Sequence, residues 1–139
     1  MNAPLYTTEI LRLAASLPEA KQLDREDGRA ELRSPTCGSR VNLAVQLDDD
    51  RCVERMSIQV HACAFGQASA ALLHAGAAGR SRGDLSVAVT ELGDWLGGSD
   101  DIPAWPGLSA LAPARRHKGR HGAILLPFRA LLAAMEAAE

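Results

Sequence analysis

The sequence carries no excess of charge of either sign, no apolar run long enough to cross a bilayer, and few cysteines. Its 139 residues hold 15 Lys and Arg against 17 Asp and Glu, a formal charge of -2. That balance removes any global electrostatic argument for nucleic acid or a membrane surface as a partner. The longest apolar stretch, Ala123 to Met135, is broken by Pro127 and Arg129 and is too short to span a membrane. Met1 to Thr8 has no basic region followed by an apolar core, so no secretory leader is expected. Three cysteines at irregular spacing do not make a disulfide framework. A reducing cytoplasm is the expected setting, and there cysteines more often serve metal or chemistry. There is no His-Glu-x-x-His motif, no P-loop and no Ser-His-Asp spacing signal. A small zinc-dependent or thiol enzyme is therefore the least supported class, and no enzyme activity is expected.

What is present reads as one α+β domain over residues 1–139. Ile10, Leu11, Leu13, Ala14 and Leu17 recur at helical spacing, with Thr8 as a cap and Pro18 as a stop. The polar stretch Glu19 to Gly28 reads as a loop. Ala30 and Leu32 alternate with charged residues. Val41, Leu43, Val45 and Leu47 alternate with Asn42, Ala44 and Gln46, and Met56, Ile58 and Val60 alternate with Arg55, Ser57 and Gln59. Period two predicts strands. Asp48 to Arg51 predicts the hairpin turn between the last two. The sheet is expected to be a three-stranded antiparallel meander covered by helices. Helices are expected over 64–78, over 85–96 with Ser81 near its start and Gly97-Gly98 at its end, and over 121–138. Pro127 is expected to kink the last helix or to occupy its first turn. Ile102 to Pro113 reads as a loop with a short helical turn, followed by the basic run Arg115 to His121.

The chemistry-bearing residues are few. Cys37 lies in Ser34-Pro35-Thr36-Cys37-Gly38-Ser39 between two strands, where Pro35 and Gly38 favour a turn. Cys63 follows the third strand and precedes a helix, whose N-terminus favours an anionic thiolate. Thiolates suit zinc, copper(I) and iron–sulfur clusters, but a structural metal needs four ligands. His61, His117, His121, Ser39, water or a partner would supply the rest. Spacing alone leaves Cys37 and Cys63 open between metal ligation and core packing, since no C-x-x-C is present. Cys52 reads as a small buried hydrophobe and His74 as a mid-helix surface residue. His61 ends a strand and reads equally as a solvent-facing residue. The basic run reads as a solvated face or a docking patch for an acidic partner.

The order of these motifs resembles the iron–sulfur cluster assembly scaffold proteins of the IscU, NifU and SufU type. Five pieces carry the resemblance over nearly the whole chain. They are Tyr6-Thr7-Thr8-Glu9-Ile10-Leu11, Ser34-Pro35-Thr36-Cys37-Gly38-Ser39-Arg40 and His61-Ala62-Cys63-Ala64. Then come Gln67 to Leu73, and Pro113-Ala114-Arg115 through Ala123 to Leu131. The resemblance implies an IscU/NifU-like (SufE/NifU-type) α+β fold. It implies sulfur received from a cysteine desulfurase, a [2Fe–2S] cluster or zinc held at Cys37 and Cys63, and delivery to cluster-accepting proteins by a monomer or weak homo-oligomer. Two departures stand out. Ser39 occupies the place of the family's aspartate, and the third cysteine falls at Ala123, or at Gly122 in a register one residue earlier. His121 is then the best local substitute ligand, with His61 and Ser39 as further candidates. A scaffold fold that has kept no metal and acts as an interaction module through Arg115 to His121 is the second expectation.

Overall fold

The computed structural model describes residues 6–35 and 38–138. Three strands, β1 (Gly28–Arg33), β2 (Arg40–Leu47) and β3 (Val53–His61), pair antiparallel in the order β1-β2-β3. The alternation in the sequence sets the register. Leu32, Val41 and Val60 share one cross-strand row, Ala30, Leu43 and Ile58 the next, and Gly28, Val45 and Met56 the third. Those rows form the inner face, which the helices cover. The Asp48–Arg51 turn is present, with the Arg51 N–H donating to the Asp48 carbonyl at 2.9 Å. Past Gln46 the pairing skips Glu54, a bulge that brings Leu47 opposite Val53.

Four α-helices complete the domain: α1 (Thr8–Ala15), α2 (Ala64–Gly76), α3 (Arg82–Leu96) and α4 (His121–Ala137). In α1 the cap is Thr7, not Thr8: its hydroxyl accepts the Ile10 N–H at 3.1 Å. The helix ends at Ala15, before Leu17, and Leu11 faces solvent while Ile10 is fully buried. In α3 the Ser81–Asp84 capping box and the Gly97 terminus follow the expectation. The helical turn expected within Ile102 to Pro113 extends through the basic run. Leu108–Arg116 and Lys118–Arg120 form two 3-10 helices, the first with Pro113 inside it. Arg115 anchors the first from outside: its guanidinium donates to the Trp95 and Ser99 carbonyls at 2.9 and 2.6 Å and lies over the Trp95 ring.

α4 is the central helix, buried along most of its length between the sheet, α2 and α3. Pro127 lies beyond the first turn. A proline there leaves the carbonyl four residues back, that of Ala123, without its helical donor and crowds the turn before it. The neighbouring Ile124 carbonyl accepts a hydrogen bond from the buried Ser69 hydroxyl of α2 at 2.6 Å. The serine thus satisfies its own hydroxyl and ties the two helices together at the weakened turn.

The loop before β1 lies across the outer face of the sheet. The Lys21 N–H donates to Ser57 Oγ, and the Arg25 N–H to Gln46 Oε1, which is why Gln46 is buried. Beside this loop His74 lies in the last turn of α2, half-buried in a groove with Lys21, Leu23, Glu54, Arg55 and Met56. It is neither mid-helix nor freely solvated, because the loop folds back over it. Burial holds the His74 imidazole below its ordinary pKa. The folded state therefore binds this proton less readily than the unfolded chain. Stability is full above the unfolded value of about 6.5 and falls as the pH drops below it. Urea midpoints measured at neutral and mildly acidic pH should show this fall, and His74→Gln should flatten it. Equal falls in both proteins would remove the assignment.

Candidate functional site at the end of the sheet

The register fixes which segments meet. Arg33 pairs with Arg40, and Arg40 with His61, so the end of β1, the start of β2 and the end of β3 lie at the same end of the sheet. The C-terminal half of α4 lies at the opposite end. Ala134 packs on Gly28, and Arg51 in the hairpin turn donates to the Ala138 carbonyl. The N-terminus of α4 therefore points to the Arg40–His61 end. The N-terminus of α2 meets it there: a Cβ built on Gly66 would lie 3.2 Å from the Ala123 carbonyl oxygen and 3.3 Å from the Ala123 Cβ. The same Cβ would lie 2.6 Å from the Ala62 Cβ, so glycine suits this close approach.

Cys63 is the N-cap of α2, half-buried, with extended backbone angles and no side-chain capping bond. Its carbonyl accepts the Gln67 N–H at 3.0 Å, and the Gln67 side chain donates back to the Ala62 carbonyl at 3.0 Å. The strand-to-helix corner is thereby pinned on both sides of the thiol. Tyr6, just before α1, reaches the same place. Its ring packs edge-on to Phe65 at 4.9 Å, which brings its phenol close enough to Cys63 for the two groups to act on each other. Burial pushes the phenol above its ordinary pKa. The negative charge of a Cys63 thiolate pushes the same way, and the Arg120 cation opposes it. The phenol is thus a proton donor at neutral pH, with its O–H available to the sulfur. Tyr6 and Gln67 were not visible as site residues in the sequence, because neither their type nor their spacing marks them. Only the folding of α1 onto α2 brings the phenol to the thiol.

The other candidates have separate surroundings. Cys37 and Thr36 lie outside the described residues. On either side of them the Ser34 N–H donates to the Ser39 carbonyl at 2.8 Å, and Gly38 takes a left-handed backbone (φ 72°) suited to glycine. Ser39 is buried. His61 is the last residue of β3 and faces the outer side of the sheet with Glu31, Arg40, Asn42 and Gln59. The strand ends there, so alternation does not carry His61 and Cys63 to one face. His121 opens α4. Its Nε2 lies 3.0 Å from both the Ala114 and the Arg115 carbonyl oxygens. Two acceptors require a proton on Nε2, which leaves Nδ1 as the ring's only lone pair. His117 is exposed between the two 3-10 helices.

Among the described residues no three His, Cys, Asp or Glu side chains gather as a metal-binding group. Ala123 is buried and Gly122 has no side chain, so neither replaces the missing thiolate. Cys63 stands at this sheet end, whereas His121 lines a groove with Leu96, Gly97, Gly98, Arg115 and Lys118. The described residues thus assemble no closed tetrahedral ligand set here. Cys52, expected in the core, instead lies half-buried in the β2–β3 turn, with its sulfur 3.8 Å from the Asp50 carbonyl oxygen. Desolvation raises its thiol pKa, and Asp48, Asp50 and Asp84 raise it further. It belongs to the opposite end of the sheet.

No protein-family profile matches the chain, and no curated protein does. Solved structures do. The N-terminal part of a nitrogen-fixing NifU-like protein from Brucella abortus is similar at TM-score 0.89 and 27% identity, over 96% of this chain and 94% of that one. A putative iron–sulfur cluster assembly scaffold protein for the SUF system from thermophilic Fervidobacterium islandicum AW-1 is similar at TM-score 0.81 and 17% identity, over 94% and 96%. A hypothetical protein shares the fold at TM-score 0.71 and 21% identity, over 92% and 97%. In fold the chain is an IscU/NifU/SufU-like protein.

Proposed function

We propose that the chain is a scaffold-type protein of iron–sulfur cluster assembly that takes sulfur from a cysteine desulfurase onto Cys63, with Cys37 as the second thiol. Cluster-accepting proteins are the recipients, and acceptance and transfer replace the turnover of a small molecule. The observation that supports this best is the position of Cys63. It caps α2 at the sheet end where the turn before β2 and the first turn of α4 converge, held by a phenol and a pinned corner. In the transfer step the Cys63 thiolate attacks the outer sulfur of the donor's persulfide. A new S–S bond forms as the donor's S–S bond breaks, and the donor departs as a thiolate, so no external oxidant is needed. A [2Fe–2S] cluster or zinc is the cargo this end would hold, on Cys37, Cys63 and Nδ1 of His121, with a fourth ligand from water or a partner. Such a site is weak and exchangeable, because ligand number and charge set affinity.

The test is anaerobic incubation with a cysteine desulfurase and cysteine, followed by intact and peptide mass spectrometry. Zinc titration and reconstitution with iron and sulfide run in parallel. Wild type should gain sulfur at Cys63, and Cys63→Ser should lose at least about nine-tenths of the transfer and of the metal uptake, as removal of the attacking thiolate requires. A wild-type chain that takes up neither sulfur nor metal rejects the proposal. The metal-free interaction module then stands in its place, a reading favoured by the buried, donorless Ala123.

A further inference from the structure

The cations of this nearly neutral chain are not spread evenly. Arg33, Arg40 and His61 form one cross-strand row on the outer face, all exposed, at the sheet end beside Cys63. Like charges directly opposite one another on a sheet destabilise it. Among the described residues, Glu31 pairs with Arg33 at 3.9 Å and is the one ion-pair partner of the row. Arg40 has no ion pair with a described residue. Arg120, the residue before α4, is close enough to act on Tyr6 beside Cys63 and has no ion pair with a described residue.

The helix termini repeat the pattern. α1 and α3 begin with a hydroxyl cap and an acid in the first turn. α2 and α4, whose N-termini face the site, have neither, and α4 is preceded by two cations that oppose its dipole. The outer face of the sheet supplies a third difference. The loop before β1 lies over its far half and reaches Asn42 and Gln59, whereas Arg40 and His61 border a shallow concavity of about 210 Å³ beyond it.

We propose that this sheet end is a cationic docking surface, in two arms flanking Cys63, for the acidic face of the protein that delivers sulfur. The inference rests on the function proposed above and adds the chemistry of the partner's surface. The unpaired cations and uncompensated helix termini lower stability in isolation. An acidic partner face supplies the missing counter-charge and steers encounter toward the thiol. The open concavity next to His61 gives that face a place to seat.

The experiment uses the full chain and a purified cysteine desulfurase, with association rates measured at about 50 and 300 mM NaCl, between which the Debye length shrinks from about 14 to about 6 Å. Arg40→Glu and Arg120→Glu should each slow association about tenfold at low salt, within the range of electrostatic steering. Arg55→Glu makes the same charge change on the covered part of β3 and should leave the rate within about twofold, since more distant charges are screened. Arg40→Glu should also raise the unfolding midpoint, because it places opposite charges across the Arg33 pair. A slower encounter in a more stable protein excludes misfolding as the cause. Equal effects of Arg40→Glu and Arg55→Glu would overturn the inference. If persulfide still reaches Cys63 at the wild-type rate in both rim variants, the docking surface fails while the sulfur-transfer reading survives.

A second arm needs no partner. With Cys37→Ser and Cys52→Ser in place, Cys63 should react faster with the dianionic Ellman reagent relative to neutral dithiodipyridine, and Arg40→Glu or salt should abolish the preference. Absence of that preference also overturns the cationic surface. If the preference is present but the desulfurase neither binds nor transfers sulfur, the transfer reading fails, and with it this partner. Displacement of the desulfurase by short duplex DNA at lower concentration would make nucleic acid the occupant and overturn the assignment.

Discussion

Gly28→Ala should cost about 3 kcal/mol or more, the upper range for forcing an atom into a packed interior. The position looks harmless in the sequence, since a strand ordinarily gains from replacing glycine. Alanine would stiffen the unfolded chain and contribute about 0.4–1 kcal/mol in favour of folding if the site had room. It has none. A Cβ built on Gly28 lies 1.9 Å from the Ala134 carbonyl oxygen and 3.2 Å from the Ala138 Cβ, against the C-terminal half of α4. The clashing atom is helix backbone, so no rotamer relieves it. Either β1 leaves its pairing with Val45 or α4 tilts away from the sheet. The second response acts at a distance, because the other end of α4 carries His121 and Ala123 beside α2. Thermal unfolding should show a midpoint lower by about 10 °C or more, from the usual conversion for a domain of this size. An unchanged midpoint would mean that α4 does not press on the start of β1. A variant that stays folded but loses sulfur acceptance at Cys63 would show that this contact also sets the site.

The contrast between Gly28 and the strand around it shows what the sequence disclosed and what it did not. Period-two alternation over 41–47 and 56–60 identified the sheet and its inner face, because burial of one face imposes that period whatever covers it. The switch from strand to an alanine-rich helix at Cys63 located the thiol at a helix N-terminus for the same local reason. What the sequence did not disclose has tertiary causes. The basic run became 3-10 because Arg115 is tethered to carbonyls at the end of α3, a contact no neighbouring residue announces. His74 is desolvated by a loop that arrives from before β1. Cys52 left the core because the hairpin turn includes it, with its N–H bonded to Asp48. Tyr6 reaches Cys63 only after α1 packs on α2. The charge row Arg33–Arg40–His61 needed the register before its three members could be seen as neighbours.

Ala123→Cys should raise zinc affinity by at least about 100-fold, since it adds an anionic soft ligand to a set with too few. The sequence left two places for the missing thiolate, and the structure separates them. Ala123 is buried against the first turns of α2, its Cβ 3.3 Å from where a Gly66 Cβ would lie, and Gly66 is one helical turn after Cys63. Gly122 is half-exposed and points about 100° further round the helix, as 3.6 residues per turn dictate. A cysteine at 123 is thus directed toward the turn that holds Cys63, and Gly122→Cys should gain much less. The added sulfur enters a packed position, so the metal-free variant should lose about 1 kcal/mol of stability, the lower range for overpacking. Zinc should then return more than was lost, because a ligand present at about 100 times its dissociation constant stabilises by about 2.7 kcal/mol. Competition against a chromophoric chelator reads the affinity, and thermal unfolding with and without zinc reads the linkage. If both variants bind zinc no better than wild type, this sheet end is not a metal site, and the absence of the third thiolate reflects a change of role. If Ala123→Cys alone gains, the sheet end still has the geometry of a cluster site, and the chain lacks only one sulfur of its ligand set.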